Sequence, residues 1–216
     1  MTELIVIRHG ETDWNRQHRF QGQIDVPLNA TGLLQAQRLA RRLSGEPFDV
    51  VVASDLQRAR ATAEAAVADR AVAVQVEPLW REQAFGVLEG LDVPTIVERH
   101  PELWAQWVRH EAHFALPGGG ESVRAFHDRI WHALDLLVQR HAGARVAVFT
   151  HGGVLDMLWR GAQGLLLDGP RVCDIPNTGI NHLRWRDGKV QIVRWADAGH
   201  LDGLPAQPDT TPASAL

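Results

Sequence analysis

The chain has 216 residues, 45% of them hydrophobic, and a formal net charge of -4. That supplies apolar material for one globular domain with a sizeable core, and without a broad basic field nucleic acid is not an expected partner. No apolar run approaches a membrane span, the N-terminus lacks a signal-peptide pattern, and the one cysteine, Cys173, can form no internal disulfide, so a cytoplasmic location is expected.

The basic residues are skewed to 21 arginines and one lysine. Lys189 stands in the turn-like run Arg186-Asp187-Gly188-Lys189, a poor place for a catalytic amine. Schiff-base chemistry and a Walker-type phosphate lysine are therefore not expected.

In chain order, Leu4 to Ile7 predicts a short buried strand. Residues 10 to 29 read as a polar loop. A helix follows from about Thr31 to Leu43, with Leu33, Ala36, Ala40 and Leu43 on one face and Gly45 and Pro47 ending it. Val50 to Ala53 is a second buried strand. It runs into Ser54-Asp55-Leu56-Gln57, which has the form of a capping box opening a helix to about Ala68. Residues 72 to 76 predict a third strand.

Residues 83 to 117, with Trp104, Trp107, His110, His113 and Phe114 punctuated by prolines, predict short helices forming a cap. After Gly118-Gly119-Gly120 a long helix places Val123, Phe126, Ile130, Leu134, Leu137 and His141 at helical spacing. Val146 to Phe149 is a fourth buried strand, followed by Thr150-His151-Gly152-Gly153 and a helix from about Val154. Residues 179 to 186 and 189 to 195 read as a hairpin about Asp187-Gly188. Residues 1 to 198 are expected to form one domain with the cap at about 83 to 117, and 199 to 216 a flexible tail.

The alternation predicts an α/β fold, with a mostly parallel central sheet flanked by helices on both faces and a small helical cap. Three predicted strands end in polar constellations: Arg8-His9-Gly10, Ser54-Asp55 and Thr150-His151-Gly152. Sites in open α/β sheets form beyond the carboxyl ends of strands, so these ends are expected to meet.

Those residues suit phosphoryl transfer. A neutral imidazole, His9, is a competent nucleophile near pH 7. Arg8 and Arg58 can grip the equatorial phosphoryl oxygens as guanidinium forks. Arg58 sits in a first helical turn and leans back over the strand end. His151 enters from another strand end, ahead of glycines whose amides can approach a phosphate. Asn15 and Gln21 can donate further bonds. Glu82 is the candidate proton donor for the leaving oxygen, with Glu11 as rival, although Glu11 lies near enough to Arg8 for a structural ion pair.

The run Ile5-Val6-Ile7-Arg8-His9-Gly10-Glu11-Thr12 is followed by Trp14-Asn15, Gln21-Gly22, Asp25-Val26-Pro27-Leu28, Gly32 and Gln35-Ala36. Then come Ser54-Asp55-Leu56, Arg58-Ala59, Thr62-Ala63, Arg81-Glu82, Phe85-Gly86, Glu89-Gly90, Gly119-Gly120-Glu121-Ser122 and Thr150-His151-Gly152-Gly153. In this order and spacing the chain resembles the histidine phosphatase superfamily, the phosphoglycerate mutase-like fold, over about residues 3 to 195. The resemblance implies that His9 carries the phosphoryl group, and that Arg8, Arg58 and His151 complete the phosphate pocket. It also implies that Glu82 is the acid-base residue, that Asn15, Gln21, Gly22 and Gly152 contact phosphate, and that neither metal nor cofactor is used.

Gln83-Ala84 and Leu88 depart from residues common in relatives, which bears on substrate preference rather than on the core chemistry. The chain has no tyrosine and a short cap. Both resemble the phosphatase branch, with its broad-specificity and α-ribazole phosphatases, more than the cofactor-dependent mutases, whose cap is longer. The expected function is hydrolysis of small organic phosphate monoesters through phosphohistidine. A cofactor-dependent phosphoglycerate mutase and a non-catalytic phosphate-binding module are the alternatives, and a homodimer is compatible with an exposed sheet edge or cap. His110 and His113 are spaced i, i+3 but lack a third metal ligand, and Gly179 stands where a cysteine-phosphatase loop starting at Cys173 would need arginine. Trp104 and Trp107 are candidates to line a substrate entrance.

Overall fold

The computed structural model describes residues 1–208. Strand β1 (Thr2–Arg8) leads through the short helix α1 (Asp13–Arg16) to α2 (Ala30–Leu43), then β2 (Val50–Ala53), α3 (Gln57–Ala66) and β3 (Val74–Val76). The cap carries α4 (Val93–Arg99) and α5 (Pro101–Trp107). Then come α6 (Val123–Arg140), β4 (Arg145–Thr150), α7 (Gly152–Gln163), and the hairpin of β5 (Ile180–Arg186) and β6 (Lys189–Asp197). The strands form one sheet in the order β3-β2-β4-β1-β5-β6. The first four are parallel, and β5 and β6 add an antiparallel edge. Among the described residues no helix is long and apolar enough to cross a membrane.

Two cores follow from the pleat, because successive strand residues point to opposite faces. Leu4, Val6, Val50, Val52, Val146 and Val148 face α6 and α7, where Phe126, Ile130, Leu134, Leu155 and Leu158 cover them. Ile5, Ile7, Val51, Ala53, Ala147 and Phe149 face α2 and α3, meeting Leu39, Leu43 and Ala63. Burying each large apolar side chain contributes roughly 1.5–3 kcal/mol, so the central strands are pinned from both sides. Leu88, Ile96 and Leu116 form a separate small cluster under the cap.

Several local expectations change. The buried face of α2 is Gly32, Gln35, Ala36, Leu39 and Leu43, while Leu33 is exposed. The helix is rotated because Gln35 turns inward, its Oε1 accepting from Glu11 N at 2.8 Å. Strand β3 begins at Val74 rather than residue 72, since only Val74–Val76 find partners on β2. Ser54 does not cap α3: the helix starts at Gln57, and the N–H of Gln57 is satisfied from outside by Asp25 Oδ1 at 2.7 Å. Helix α7 starts at Gly152, two residues early, directly from the strand end. Residues 199–208, expected as the start of a loose tail, are docked: Gln207 Oε1 accepts from Asn177 N at 2.6 Å, and His200 Nε2 lies 3.2 Å from Thr178 Oγ1. The rest of the expected tail, 209–216, lies outside the described residues.

Candidate active site

Sheet order brings the three polar strand ends together, because β4 lies between β1 and β2. Register does the rest. Arg8 sits opposite Thr150 and Ala53 opposite Phe149. One residue further, His9 N donates to Thr150 O at 2.9 Å and Ser54 N to Phe149 O at 3.0 Å. The rings of His9 and His151 stand 5.3 Å apart.

His9 is buried, and its Nδ1 lies 2.7 Å from Gly10 O. A carbonyl accepts only, so Nδ1 carries the proton and Nε2 keeps its lone pair. Burial, and then the charges of Arg58 and Arg8, hold the imidazole well below its ordinary pKa of 6.5. The ring is thus neutral and nucleophilic at Nε2.

The backbone on either side is locked. Asn177 Nδ2 donates to His9 O at 2.9 Å, and Thr178 N to Arg8 O at 3.0 Å. Gly10 serves close approach: a Cβ there would sit 2.7 Å from Gly32 O.

Arg8 donates through Nη1 to Ile175 O at 2.6 Å. Its pKa falls to about 9, first through burial, then through the charge of Arg171, with Glu82 opposing and Arg58 adding to the fall. Arg58 is fully buried, its Nη1 donating to Ile24 O at 2.8 Å and its Nη2 to Gly22 O at 2.7 Å. Those bonds leave Nε buried without a partner. Burial lowers its pKa to about 10, and Glu82 is the largest opposing charge. Both guanidinium groups therefore stay charged at neutral pH within the field of one carboxylate. Gly22, expected to contact phosphate, lends its carbonyl to Arg58.

His151 Nε2 lies 2.9 Å from Ser54 Oγ, while Nδ1 is buried without a partner. Ser54 Oγ also accepts from Leu56 N at 3.3 Å; where its hydroxyl proton is donated to His151 Nε2, the ring carries its own proton on Nδ1. Burial first, then Arg58, lowers the pKa of this ring well below 6.5. Asn15 and Gln21 both turn their carbonyl oxygens to Thr12 Oγ1, at 3.1 and 3.0 Å, which leaves their amino groups as donors.

Glu82 reaches the site from the other side. Its Oε2 accepts from Gly153 N at 3.0 Å, at the N-terminus of α7, and its Oε1 from Gln83 N at 2.9 Å. A Cβ at 153 would lie 2.2 Å from Glu82 Oε1, so any larger residue there must displace the carboxylate. The segment carrying Glu82 is held by Arg129, which donates to the carbonyls of Leu79, Arg81 and Glu82 while paired with Glu121 at 2.7 Å. Glu11, the rival acid, is fully buried and bound to Arg16 Nε at 2.6 Å and Asn29 Nδ2 at 2.9 Å. Its ionic partner is Arg16 rather than Arg8, and both contacts hold the first loop.

Asn177, Arg129 and Arg171 are site-building residues that sequence reasoning missed; Ser54 was placed at a meeting strand end, but its bond to His151 was not foreseen. A serine closing a buried strand beside two other polar strand ends was a legible signal, but the capping-box reading absorbed it. The others arrive from distant segments with no local pattern. Trp107 packs edge-on against Phe20 and Phe85 beneath the cap, with Trp104 in the same cluster. Burial pushes the Cys173 thiol up to about 12, which makes it unreactive near neutral pH.

Residues 4–198 match the histidine phosphatase superfamily, branch 1. The chain is 38% identical over 203 residues to phosphoglycerate mutase-like protein 4 of Arabidopsis thaliana, covering 93% of this chain and 87% of that one. It is 37% identical over 212 residues to the metal-independent phosphoserine phosphatase of the same plant, covering 94% and 85%. The phosphoserine phosphatase of Entamoeba histolytica, solved with 3-phosphoglyceric acid, aligns with a TM-score of 0.82 at 26% identity, covering 93% of this chain and 100% of that one. A sheet whose parallel strand ends place two neutral histidines among buried arginines, matched along nearly its whole length, means that this chain belongs to the histidine phosphatase superfamily, branch 1.

Proposed function

We propose that this phosphatase hydrolyses small organic phosphate monoesters in two steps through phosphohistidine at His9 Nε2, with no metal or organic cofactor. The observation that carries the reading is the state of His9. Its Nδ1 is tied to Gly10 O, its ring is held neutral, and two fixed guanidinium groups stand close enough to shape its charge.

In the first step Nε2 attacks phosphorus, the N–P bond forms and the ester P–O bond breaks. The Glu82 carboxyl gives its proton to the leaving alkoxide. Arg8, Arg58, His151 Nδ1–H and the amides of Asn15 and Gln21 balance charge on the three equatorial oxygens. In the second step the Glu82 carboxylate takes a proton from water as its oxygen attacks phosphorus. The N–P bond breaks and inorganic phosphate leaves.

Mixing with radiolabelled monoester, followed by an alkaline quench that preserves phosphohistidine, should place label on His9. Turnover with label on another residue, or with none on His9, would overturn this mechanism.

Because relatives are named for phosphoserine phosphatase, phosphoserine belongs in the first substrate screen. The name of the mutase-like relative keeps a second reading in view. Conversion of 3-phosphoglycerate to its isomer only when the bisphosphate is added would mark a mutase. Release of phosphate without it marks the phosphatase.

A further inference from the structure

We infer that Arg171 is a specificity residue that recognises a carboxylate carried by the substrate a few bonds from its phosphate. This inference rests on the phosphatase reading above and names a substrate class for it.

Arg171 lies in the loop between α7 and β5, and the fold holds that loop in place. Arg160 of α7 donates to the carbonyls of Leu166, Asp168, Gly169 and Pro170 at 2.6 to 3.2 Å, with its Nε on Asp156 at 3.0 Å. The same loop is bonded to the end of the cap: Asp168 Oδ1 accepts from Ala112 N at 2.8 Å, and Gly169 N donates to His110 O at 3.1 Å. The residue that follows is thereby delivered to the junction of cap and sheet end. There Arg171 Nη1 and Arg8 Nε each stand 3.6 Å from the point where a Cβ on Gly152 would be. The two guanidinium groups face one spot at the start of α7.

Placing one arginine beside another needs compensation, and the described residues offer Arg171 little. Its Nε is buried without a hydrogen-bond partner. Asp156, an acid within its field, is already paired with Arg160. Every other buried or half-buried arginine around the site has a fixed acceptor: Arg58 on loop carbonyls, Arg81 on Asp55, Arg129 on Glu121, Arg160 on Asp156.

Among the described residues no carboxylate is bonded to Arg171, and Asp156 is held by Arg160. The loop that carries Arg171 is tied to the end of the cap, so Arg171 borders the phosphate pocket beside Arg8 at the junction of cap and sheet. A planar carboxylate suits the guanidinium fork and supplies the missing charge.

The test compares monoesters that differ only at the carboxylate: phosphoserine against phosphoethanolamine, and 3-phosphoglycerate against glycerol 3-phosphate. Wild-type enzyme should favour the carboxylated member of each pair by roughly 10- to 100-fold in kcat/KM, the value of a charge-assisted pair. Arg171→Met should collapse that ratio toward one, mainly by raising KM for the carboxylated member. Arg171→Lys, which keeps the charge but not the fork, should restore part of it. Equal losses on both members of each pair, or a wild-type enzyme with no preference, would overturn the inference and leave the phosphatase reading intact. Failure of wild-type enzyme to release phosphate from any of the four would overturn the phosphatase reading itself.

Discussion

The floor of the site and its rim are built on different terms. The floor is made of strand ends and the first turns of helices: His9, Ser54, Arg58 and His151 are each nearly or wholly buried and bonded to neighbouring backbone or side chains. The rim is made of the 83–117 cap and the 164–171 loop, where half-buried groups such as Trp104, Trp107 and Arg171 sit among exposed apolar residues such as Val87, Val108 and Leu166. The floor inherits its precision from a sheet covered on both faces. The rim depends on a small aromatic cluster and a few arginine-to-carbonyl clamps. On the reading proposed above, the contrast puts the chemistry in the part packed on both faces of the sheet and substrate choice in the part that can vary at little cost to the core.

The contrast is most directly broken at its centre. His9→Ala should lower kcat by about 10⁴-fold or more, since the other neutral ring at the strand ends, His151, has its Nε2 engaged by Ser54 Oγ. Steady-state turnover with phosphoserine checks this, and the variant should retain its fold by circular dichroism.

Next comes Gly153→Ala. One methyl group 2.2 Å from Glu82 Oε1 must displace the carboxylate, so kcat should fall by roughly 10²-fold, the scale of a lost general acid. Glu82→Gln should match that loss, and the double variant should lose little more, because both act on one proton. Additive losses would mean that Gly153 matters for another reason.

Ser54→Ala is milder. It strips His151 Nε2 of its partner, and a buried polar atom left unsatisfied costs about 1–3 kcal/mol. Turnover should drop about 10-fold, shared between stability and phosphate binding, and Ser54→Thr should recover most of it.

The smallest effect per step is on stability against pH. His9 and His151 in the floor, and His110 and His200 outside it, all have folded pKa values below their ordinary 6.5. For such groups the unfolded chain binds protons first. Their contribution to stability is fully present above pH 6.5 and is lost as pH falls through the folded values. Thermal unfolding midpoints should therefore decline as pH drops below 6.5. His151→Asn should flatten that decline by more than His110→Asn, because the floor histidine is the more deeply buried.

Much of the floor was legible in the amino-acid order. Arg8, His9, Arg58, Glu82 and His151 were nominated from strand ends, a first helical turn and motif spacing, and the structure brings all five into one electrostatic neighbourhood. Helix boundaries were close wherever an apolar period ran long, as in α6. What was misread is instructive. Ser54 looked like a cap because capping is a local pattern, whereas its bond to His151 spans 97 positions. Leu33 looked buried because apolar spacing marks a face without saying how far a buried glutamine rotates it. Residues 199–208 looked loose because their composition is polar and proline-rich, yet Gln207 and His200 bind the 177–178 turn.

By itself, the order of residues determined which segments become the central strands and long helices, and which chemistry their polar ends can perform. These depend on periodicity, propensity and functional-group identity, all local properties. Tertiary structure alone decided that β4 would insert between β1 and β2, and so place His151 beside His9. It also decided that Glu82 would rest on the first turn of α7, and that Arg171 would face Arg8 across Gly152. Those relations depend on how sheets stack and loops close over distances that no local pattern encodes.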